Sequence, residues 1–357
     1  MMTLFPTLEV NVSALRSNYS LLKNHHAGNS IAAVVKANAY GLGVGEVGVA
    51  LWAEGCRDFF AATLEEGIEL RKLLPEVRIG VFQGLFSGEE QEFSYHRLTP
   101  VLNDISQVER FVKSELRHTS KNIMVHVDSG MTRLGLCESD LENPFIAKLQ
   151  GFGPVLVLSH LACANAPAHP KNSEQLERFQ SALKYFPDAK ASLANSAGVF
   201  LPAEFHFDIA RPGCALYGIN PADGKNPMQH VATLSAPILQ IRELDRDETV
   251  GYGATASMSK GGRIAIAALG YADGYFRSLS NQGFVYVAGH KAPLLGRVSM
   301  DMVAINVSAI PPQEIGENSR AEFINELQTV DDIATQCGTI GYEIFTRIGR
   351  RVKRVYK

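Results

Sequence analysis

SIAAVV, residues 30–35, carries no charged side chain and runs straight into KANAYGLG, residues 36–43. This junction of a β-rich run with a glycine-bearing turn sets the reading of the first part of the chain. Similar short runs recur at 59–62, 78–82 (RIGVF), 98–102, 122–127 (NIMVHV), 155–159 (VLVLS), 189–193 and 206–210. Between them lie helix-like segments. TLEEGIELRKLL (63–74) opens on a capping box of Thr63 and Glu66, and in SEQLERFQSALKYF (173–186) Leu176, Phe179, Leu183 and Phe186 recur at helical spacing. Eight strand–helix units within residues 30–212 predict an α/β fold closed as a parallel (β/α)8 TIM-like barrel, with an open parallel sheet as the alternative.

After Tyr217 the rhythm changes. ILQIREL (238–244), RIAIAALG (263–270), GFVYVAG (283–289) and VAINV (303–307) are apolar or alternating runs, with one helix expected at TVDDIATQC (329–337). The expected division is therefore a barrel domain over 1–220 and a mostly β C-terminal domain over 221–357. LEVNV (8–12) precedes the barrel rhythm. The basic C-terminus RIGRRVKRVYK (347–357) alternates Val and Ile with Arg and Lys, which suits a strand with one solvated face.

At 357 residues the chain can bury a large core, and 34 Lys and Arg against 37 Asp and Glu advertise neither a nucleic-acid nor a membrane partner. Cys56, Cys137, Cys163, Cys214 and Cys337 include no CxxC pair, so neither a metal site nor a disulfide framework is expected. The N-terminal MMTLFPTLEV lacks a basic stretch followed by a long apolar one, and no window approaches 18 uninterrupted apolar residues. The expected location is cytoplasmic.

Barrel enzymes carry their sites at the C-terminal ends of the strands. There the sequence places Lys36 after the first strand, Arg133 after the fifth, His160 after the sixth, Asn195 and Ser196 after the seventh, and Arg211 after the eighth. An amine at the end of an apolar strand is partly desolvated, which lowers its pKa and suits covalent catalysis on a carbonyl. Tyr40 adds a hydroxyl, and Gly41 and Gly43 let backbone approach a phosphate. Loops after the seventh and eighth strands are the usual phosphate site, which points to Ser196 and the N–H groups of Gly213 and Cys214. Asn195 and Ser196 also suit a helix cap.

AVVKANAYGLG (33–43) is followed in order by MTRLG (131–135), SHLACAN (159–165), ANSAG (194–198), RPGCALYG (211–218), VGYGATA (250–256), GYADGY (270–275) and GRVSMDM (296–302). The set resembles the motifs of alanine racemases, enzymes that use pyridoxal 5'-phosphate (PLP) to interconvert the two hands of alanine and supply D-alanine for cell-wall peptidoglycan. The resemblance implies that Lys36 holds PLP and that Tyr40, His160, Asn195, Ser196, Arg211, Gly213 and Cys214 surround it. It implies two bases, Lys36 on one face of the α-carbon and Tyr252 on the other, with His160 and Arg211 as cations that lower the tyrosine pKa from about 10. The resemblance also implies that Arg211 meets the pyridine nitrogen; a guanidinium keeps its own protons, so the ring would stay a weak electron sink that favours racemisation over transamination. By the same resemblance Arg133 would assist the phenolate of Tyr40 or the substrate carboxylate, while Tyr271, Met300 and Asp301 would come from the β domain to close a small substrate pocket. The resemblance further implies a homodimer in which second-domain residues, Tyr252 included, reach the partner's site. It also allows residues 1–12 to pair with the second domain.

The likeness has departures. Many members carry a lysine carbamate five residues before MxRLG, where this chain has His126; Arg133 must then be held by neutral His126, a bound anion or Asp128. Leu42, Ser299 and Arg350 stand where members often have His, Cys and a phosphate-contacting Tyr. Three rival readings stay open: a serine or broad-specificity racemase, decided by pocket volume; a PLP decarboxylase, which Arg211 disfavours; and a non-catalytic PLP carrier, which needs no β domain or Tyr252.

Overall fold

The structure, a computed structural model, describes residues 5–28, 30–120, 122–153, 155–316 and 318–357. Residues 1–4 of the N-terminal segment lie outside these. The chain divides into two compact units, Ala14–Gln229 and Met1–Ser13 with His230–Lys357. Strand β1 (Thr7–Val10) belongs to the second of these and the next nine strands to the first.

The larger unit is the parallel barrel. Its strands are β2 (Ser30–Ile31), β3 (Ala33–Val34), β4 (Asp58–Ala61), β5 (Arg78–Val81), β6 (Thr99–Leu102), β7 (Ile123–His126), β8 (Val155–Leu158), β9 (Lys190–Ser192) and β10 (Ile209–Ala210). β3 to β9 form one continuous parallel sheet in chain order, and β10 pairs in parallel with β2. β2 and β3 are one extended run with neighbours on both sides. The N–H groups of Ser30, Ala32 and Val34 donate to Asp208, Ala210 and Pro212, whereas Val35 N–H donates to Phe60. Asp208 N–H and Arg211 N–H in turn donate to Ala191 and Ala194, joining the eighth strand position to the seventh.

Inward side chains fill the barrel: Ala32, Val34, Phe60, Val101, Met124, Leu156, Leu158 and Ile209 form one buried cluster, with Tyr40 and Phe82 against it. Gly80 in β5 is glycine for a packing reason. A Cβ there would lie 2.5 Å from Phe60 and 2.9 Å from the Met124 sulfur, so the phenyl ring occupies the place of a side chain. On the outside, helix Lys171–Leu183 buries Leu176 and Phe179, and Phe186 beyond it is also buried.

The other unit is antiparallel and built around one long strand. β11 (Ala232–Glu243) is followed by β12 (Glu248–Val250), β13 (Ala256–Met258), β14 (Arg263–Ala267), β15 (Phe284–Val287), β16 (His290–Leu295), β17 (Val303–Asn306), β18 (Arg320–Ile324) and β19 (Lys353–Tyr356). The sheet order is β14-β17-β16-β15-β18-β11-β1-β19, and β11 also pairs with β14. That second pairing closes a ring. β11 changes register between Ile238 and Gln240, so its first half serves β1 and β18 while its second half serves β14; bulges of this kind bend a strand between two sets of neighbours. β1 and β19 pair in parallel at the edge. Helix Val330–Cys337 has a full capping box in Thr329 and Asp332.

Candidate active site

Lys36 leaves β3 into a backbone that sequence propensity does not anticipate. The expected glycine turn is present, with Gly41 and Gly43 at φ of 85° and 105°, but it is preceded by a left-handed run on four residues with side chains: Ala37, Asn38, Ala39 and Tyr40 have φ of 53°, 54°, 52° and 55°. Each costs about 1–2 kcal/mol relative to right-handed backbone. Several hydrogen bonds hold the run. Ala39 N–H donates to Val35 O at 2.8 Å and Gly41 N–H to Ala37 O at 2.8 Å, while Val44 N–H donates to Asn38 Oδ1 at 2.8 Å. Glu66 supplies the remaining brace, accepting from Ala37 N–H at 2.8 Å and Ala62 N–H at 2.8 Å. The capping box expected at Thr63 is thus only half formed: Thr63 Oγ1 accepts from Glu66 N–H at 3.2 Å, but the Glu66 carboxylate goes to the lysine turn. Burial and then the charge of Arg133 lower the Lys36 pKa from its ordinary value, with Glu66 opposing them. Its Nζ lies 5.7 Å from the centre of the Phe82 ring.

Tyr40 packs on Tyr217 with ring centres 4.9 Å apart, and the Tyr217 hydroxyl donates to Val34 O at 2.9 Å. Gly213 leaves room for Tyr40, since a Cβ there would sit 2.5 Å from its hydroxyl oxygen. Ser196 Oγ accepts from Gly213 N–H at 2.9 Å and from Ala215 N–H at 3.2 Å. Gly213 N–H, expected to face a phosphate, is therefore used inside the fold, and Ser196 keeps its hydroxyl proton to donate. Asn195 is likewise engaged: Oδ1 accepts from Gly198 N–H at 3.0 Å, and Nδ2 donates to Leu161 O at 3.1 Å and faces His160 Nε2 at 3.5 Å.

Arg211 is buried. Its Nη1 donates to Ser192 O at 2.8 Å and to Ser192 Oγ, and its Nη2 donates to Ser159 O. Nε has no acceptor among the described residues. Burial lowers its pKa to about 9, so it remains a cation at neutral pH. It does not share that charge with His160: burial, then Arg211, Arg133 and Lys36, push the His160 pKa well below 6.5. His160 is therefore neutral, which corrects the expectation that it acts as a cation.

Arg133 lies on an exposed loop shaped by Asp128, whose Oδ1 accepts from Gly130, Met131 and Thr132 N–H at 2.9, 2.9 and 3.0 Å. Asp128 is committed to the loop backbone through that oxygen. His126, at the end of β7, meets Asn103 at 2.8 Å.

The family descriptions "Alanine racemase, N-terminal domain" and "Alanine racemase, C-terminal domain" match residues 10–221 and 231–356. The chain belongs to the alanine racemase family. It is 44% identical to an alanine racemase of Rickettsia akari, with 98% of each chain covered, and 41% identical to one of Rhizobium meliloti, with 98% of this chain and 96% of the relative covered. Among solved structures it resembles the alanine racemase of Bartonella henselae, crystallised with covalently bound pyridoxal phosphate, at TM-score 0.92 and 36% identity over 99% of both chains. The biosynthetic alanine racemase of Pseudomonas aeruginosa gives TM-score 0.91 and 36% identity over 99% of this chain and 100% of that one.

The remaining family-motif residues are in the β unit. Tyr252 stands between Gly251 and Gly253, both with positive φ (76° and 75°), and is 72% exposed. Tyr271 and Met300 are exposed too. GYADGY and GRVSMDM are joined by Tyr271 N–H to Ser299 O and Ala272 N–H to Met300 O, each at 3.0 Å. A Cβ on Gly270 would strike Met300 O at 2.3 Å. Asp301, expected at the substrate, pairs with Arg351 at 2.8 Å, and Arg351 also grips the buried Asp273. Cys214 is partly buried and Arg350 exposed. Glu66, Asn103 and the Arg351–Asp273 pair escape the sequence reading. Only Glu66 left a signal there, in the capping-box pattern that misassigned its carboxylate.

Proposed function

We propose that the protein is a PLP-dependent alanine racemase that exchanges L- and D-alanine by a two-base mechanism and supplies D-alanine to peptidoglycan. The observation that carries the reading is the unpartnered Arg211 Nε: a buried N–H donor whose sister nitrogens are all occupied fits an uncharged ring nitrogen. The other residues fit the same group. Lys36 offers an amine that burial makes easier to deprotonate than a free lysine, Ser196 offers a hydroxyl proton beside the Gly213 loop, and Tyr40 lies against that loop.

PLP, when bound, supplies a carbonyl carbon that condenses with amines and a ring that draws electrons from the substrate α-carbon. The protein's share is proton movement and placement. Lys36 Nζ exchanges the α-proton on one face, and the partner subunit's Tyr252 exchanges it on the other through its phenolic oxygen. Arg211, which cannot give up a proton at neutral pH, keeps the ring nitrogen unprotonated, so negative charge on the α-carbon is short-lived and quickly reprotonated. Neutral His160 adds no competing positive charge beside Arg211. Arg133 receives the substrate carboxylate, with Tyr271 and Met300 of the partner subunit limiting substrate size. The exposure of Tyr252, Tyr271 and Met300 in a single chain supports a homodimer with shared sites.

The test is direct. Purified protein is incubated with L-alanine and optical inversion is followed, and a borohydride-reduced sample is mapped by peptide mass. Racemisation of alanine with the pyridoxyl group on Lys36 is expected. Label on Lys23 or Lys72, or inversion of serine in preference to alanine, defeats the assignment.

A further inference from the structure

The His126 ring poses a question that its neighbours answer: which nitrogen carries the proton. Asn103 Nδ2 lies 2.9 Å from Phe82 O and 2.8 Å from Val101 O. Backbone carbonyls only accept, so Nδ2 is correctly the amide nitrogen and Oδ1 is the atom that faces His126. Nδ1, 2.8 Å from that oxygen, must donate. A neutral imidazole then has its lone pair on Nε2.

Neutrality follows from the surroundings. Burial, then the charges of Arg211 and Arg133, lower the His126 pKa to about 4, against a weaker opposing pull from Asp128. His160, itself neutral, lies within electrostatic reach of His126 and of Lys36. Among cations of this density an acceptor is more useful than a charge.

Asn103 is itself fixed. Its N–H donates to Gln107 Oε1 at 3.0 Å, and Gln107 Nε2 donates to Gln83 O at 3.3 Å. Gln107 N–H is held by Asp104 Oδ1 at 3.0 Å, at the N-cap of helix Ile105–Lys113. Helix cap, glutamine, asparagine and imidazole form one chain of committed donors and acceptors. Arg133, whose charge reaches both histidines, has neither a hydrogen-bond nor an ion-pair partner among the described residues, so its guanidinium is not committed elsewhere.

We infer that Asn103 is a positioning residue for the reaction: it locks His126 as the Nδ1–H tautomer, which keeps Nε2 bare as the acceptor to which the Arg133 guanidinium turns when it takes up the substrate carboxylate. The role of Arg133 in this statement rests on the racemase reading; the tautomer does not.

Two replacements separate the outcomes. Asn103→Leu removes the acceptor and frees the tautomer. Asn103→Asp keeps the shape but sets a carboxylate against Nδ1–H, which favours the charged ring; that ring bears a proton on Nε2 and repels Arg133. The holoenzyme is labelled with 15N-histidine, and long-range 1H–15N spectra are assigned through His126→Gln. Wild type should show an unprotonated His126 Nε2 with a proton on Nδ1. In Asn103→Leu the Nε2–H form should appear, with KM for L-alanine about tenfold higher, the size of one weakened hydrogen bond to a charged group, and kcat little changed. In Asn103→Asp the acidic limb of kcat/KM should move to higher pH. His126→Gln, which keeps an acceptor, should lose less than His126→Leu. A proton on Nε2 in the wild-type spectrum overturns the inference, as does an Asn103→Leu protein with a changed tautomer and unchanged KM. Thermal midpoints establish folding, and if the leucine variant does not fold, the near-isosteric aspartate variant decides through its pH profile. If wild type does not racemise alanine, the functional reading fails while the spectrum still decides the tautomer.

Discussion

Replacing Glu66 by glutamine tests how the lysine turn is held. The carboxylate accepts from Ala37 N–H and Ala62 N–H, both at 2.8 Å, and a hydrogen bond to a charged acceptor contributes about 1.5–3 kcal/mol. Glutamine has one acceptor oxygen, so one amide keeps a neutral bond while the other faces an NH2 group. The expected loss is about 1–3 kcal/mol, at the low end if water reaches Ala37 N–H, which is exposed. That is comparable with the cost of one of the four left-handed residues, about 1–2 kcal/mol, so the turn should loosen. A second consequence is electrostatic. Glu66 raises the Lys36 pKa against burial and Arg133, so removing its charge must lower that pKa further. Urea unfolding of cofactor-free protein measures the first effect, and the pH dependence of Lys36 acylation the second. Glu65→Gln is the control: Glu65 is exposed and bonds neither Ala37 nor Ala62 N–H, its carboxylate reaching only its own backbone N–H and Thr63 at the helix start, and its replacement should cost under about 1 kcal/mol. If Glu66→Gln is no less stable than this control, or if Lys36 becomes more basic, the brace does not act as argued.

In β5, Gly80→Ala forces a Cβ to within 2.5 Å of Phe60 and should destabilise by about 1–3 kcal/mol in urea; Gly80→Ala with Phe60→Leu should regain part of it. Acid should destabilise the barrel through its histidines: His26 and His126 have folded pKa values lowered from 6.5 to about 4, so between these values the unfolded chain binds more protons and stability must fall as pH falls. Unfolding at pH 7 and pH 5 checks the sign, and His26→Phe should flatten the slope. Bicarbonate should not affect activity, because a histidine side chain at position 126 forms no stable carbamate; rigorous CO2 removal that abolished activity, with bicarbonate restoring it, would transfer that role to another lysine. Lys36→Ala and Tyr252→Ala proteins, each nearly inactive alone, should regain racemase activity when unfolded and refolded together, and confirmed heterodimers without activity would refute a shared site.

The division between what the sequence discloses and what it hides has a physical basis. The eight strand positions are legible because an inward-facing barrel strand is a short apolar run, and Lys36, Arg133, His160, Asn195, Ser196 and Arg211 are legible because each follows such a run. Chain order alone places them at one end. The closure of the β unit is less legible, since the bend between Ile238 and Gln240 carries neither Gly nor Asn to mark it. The left-handed run was hidden as well: ANAY contains no glycine, and local propensity assigns positive φ to the glycines that follow.

The residues that went unread share one property: their partners are far away in sequence. A Thr-x-x-Glu pattern is the same whether the carboxylate returns to Thr63 or crosses to Ala37, 29 residues earlier, and only the parallel packing of adjacent βα units decides between them. Asn103 has no local pattern either, because His126 lies 23 residues on, in the next strand of the sheet. Adjacent parallel strands are separated by a helix, so a side chain at one strand end meets its neighbour's strand end after some twenty to thirty residues. Reactive groups can be found one strand at a time. Burial inside the closed barrel, and after it the cations at other strand ends, set their protonation, which is why the charge state of His160 is not legible while its position is. Each reactive residue at a strand end therefore needs the other strand ends around it before its proton can be assigned.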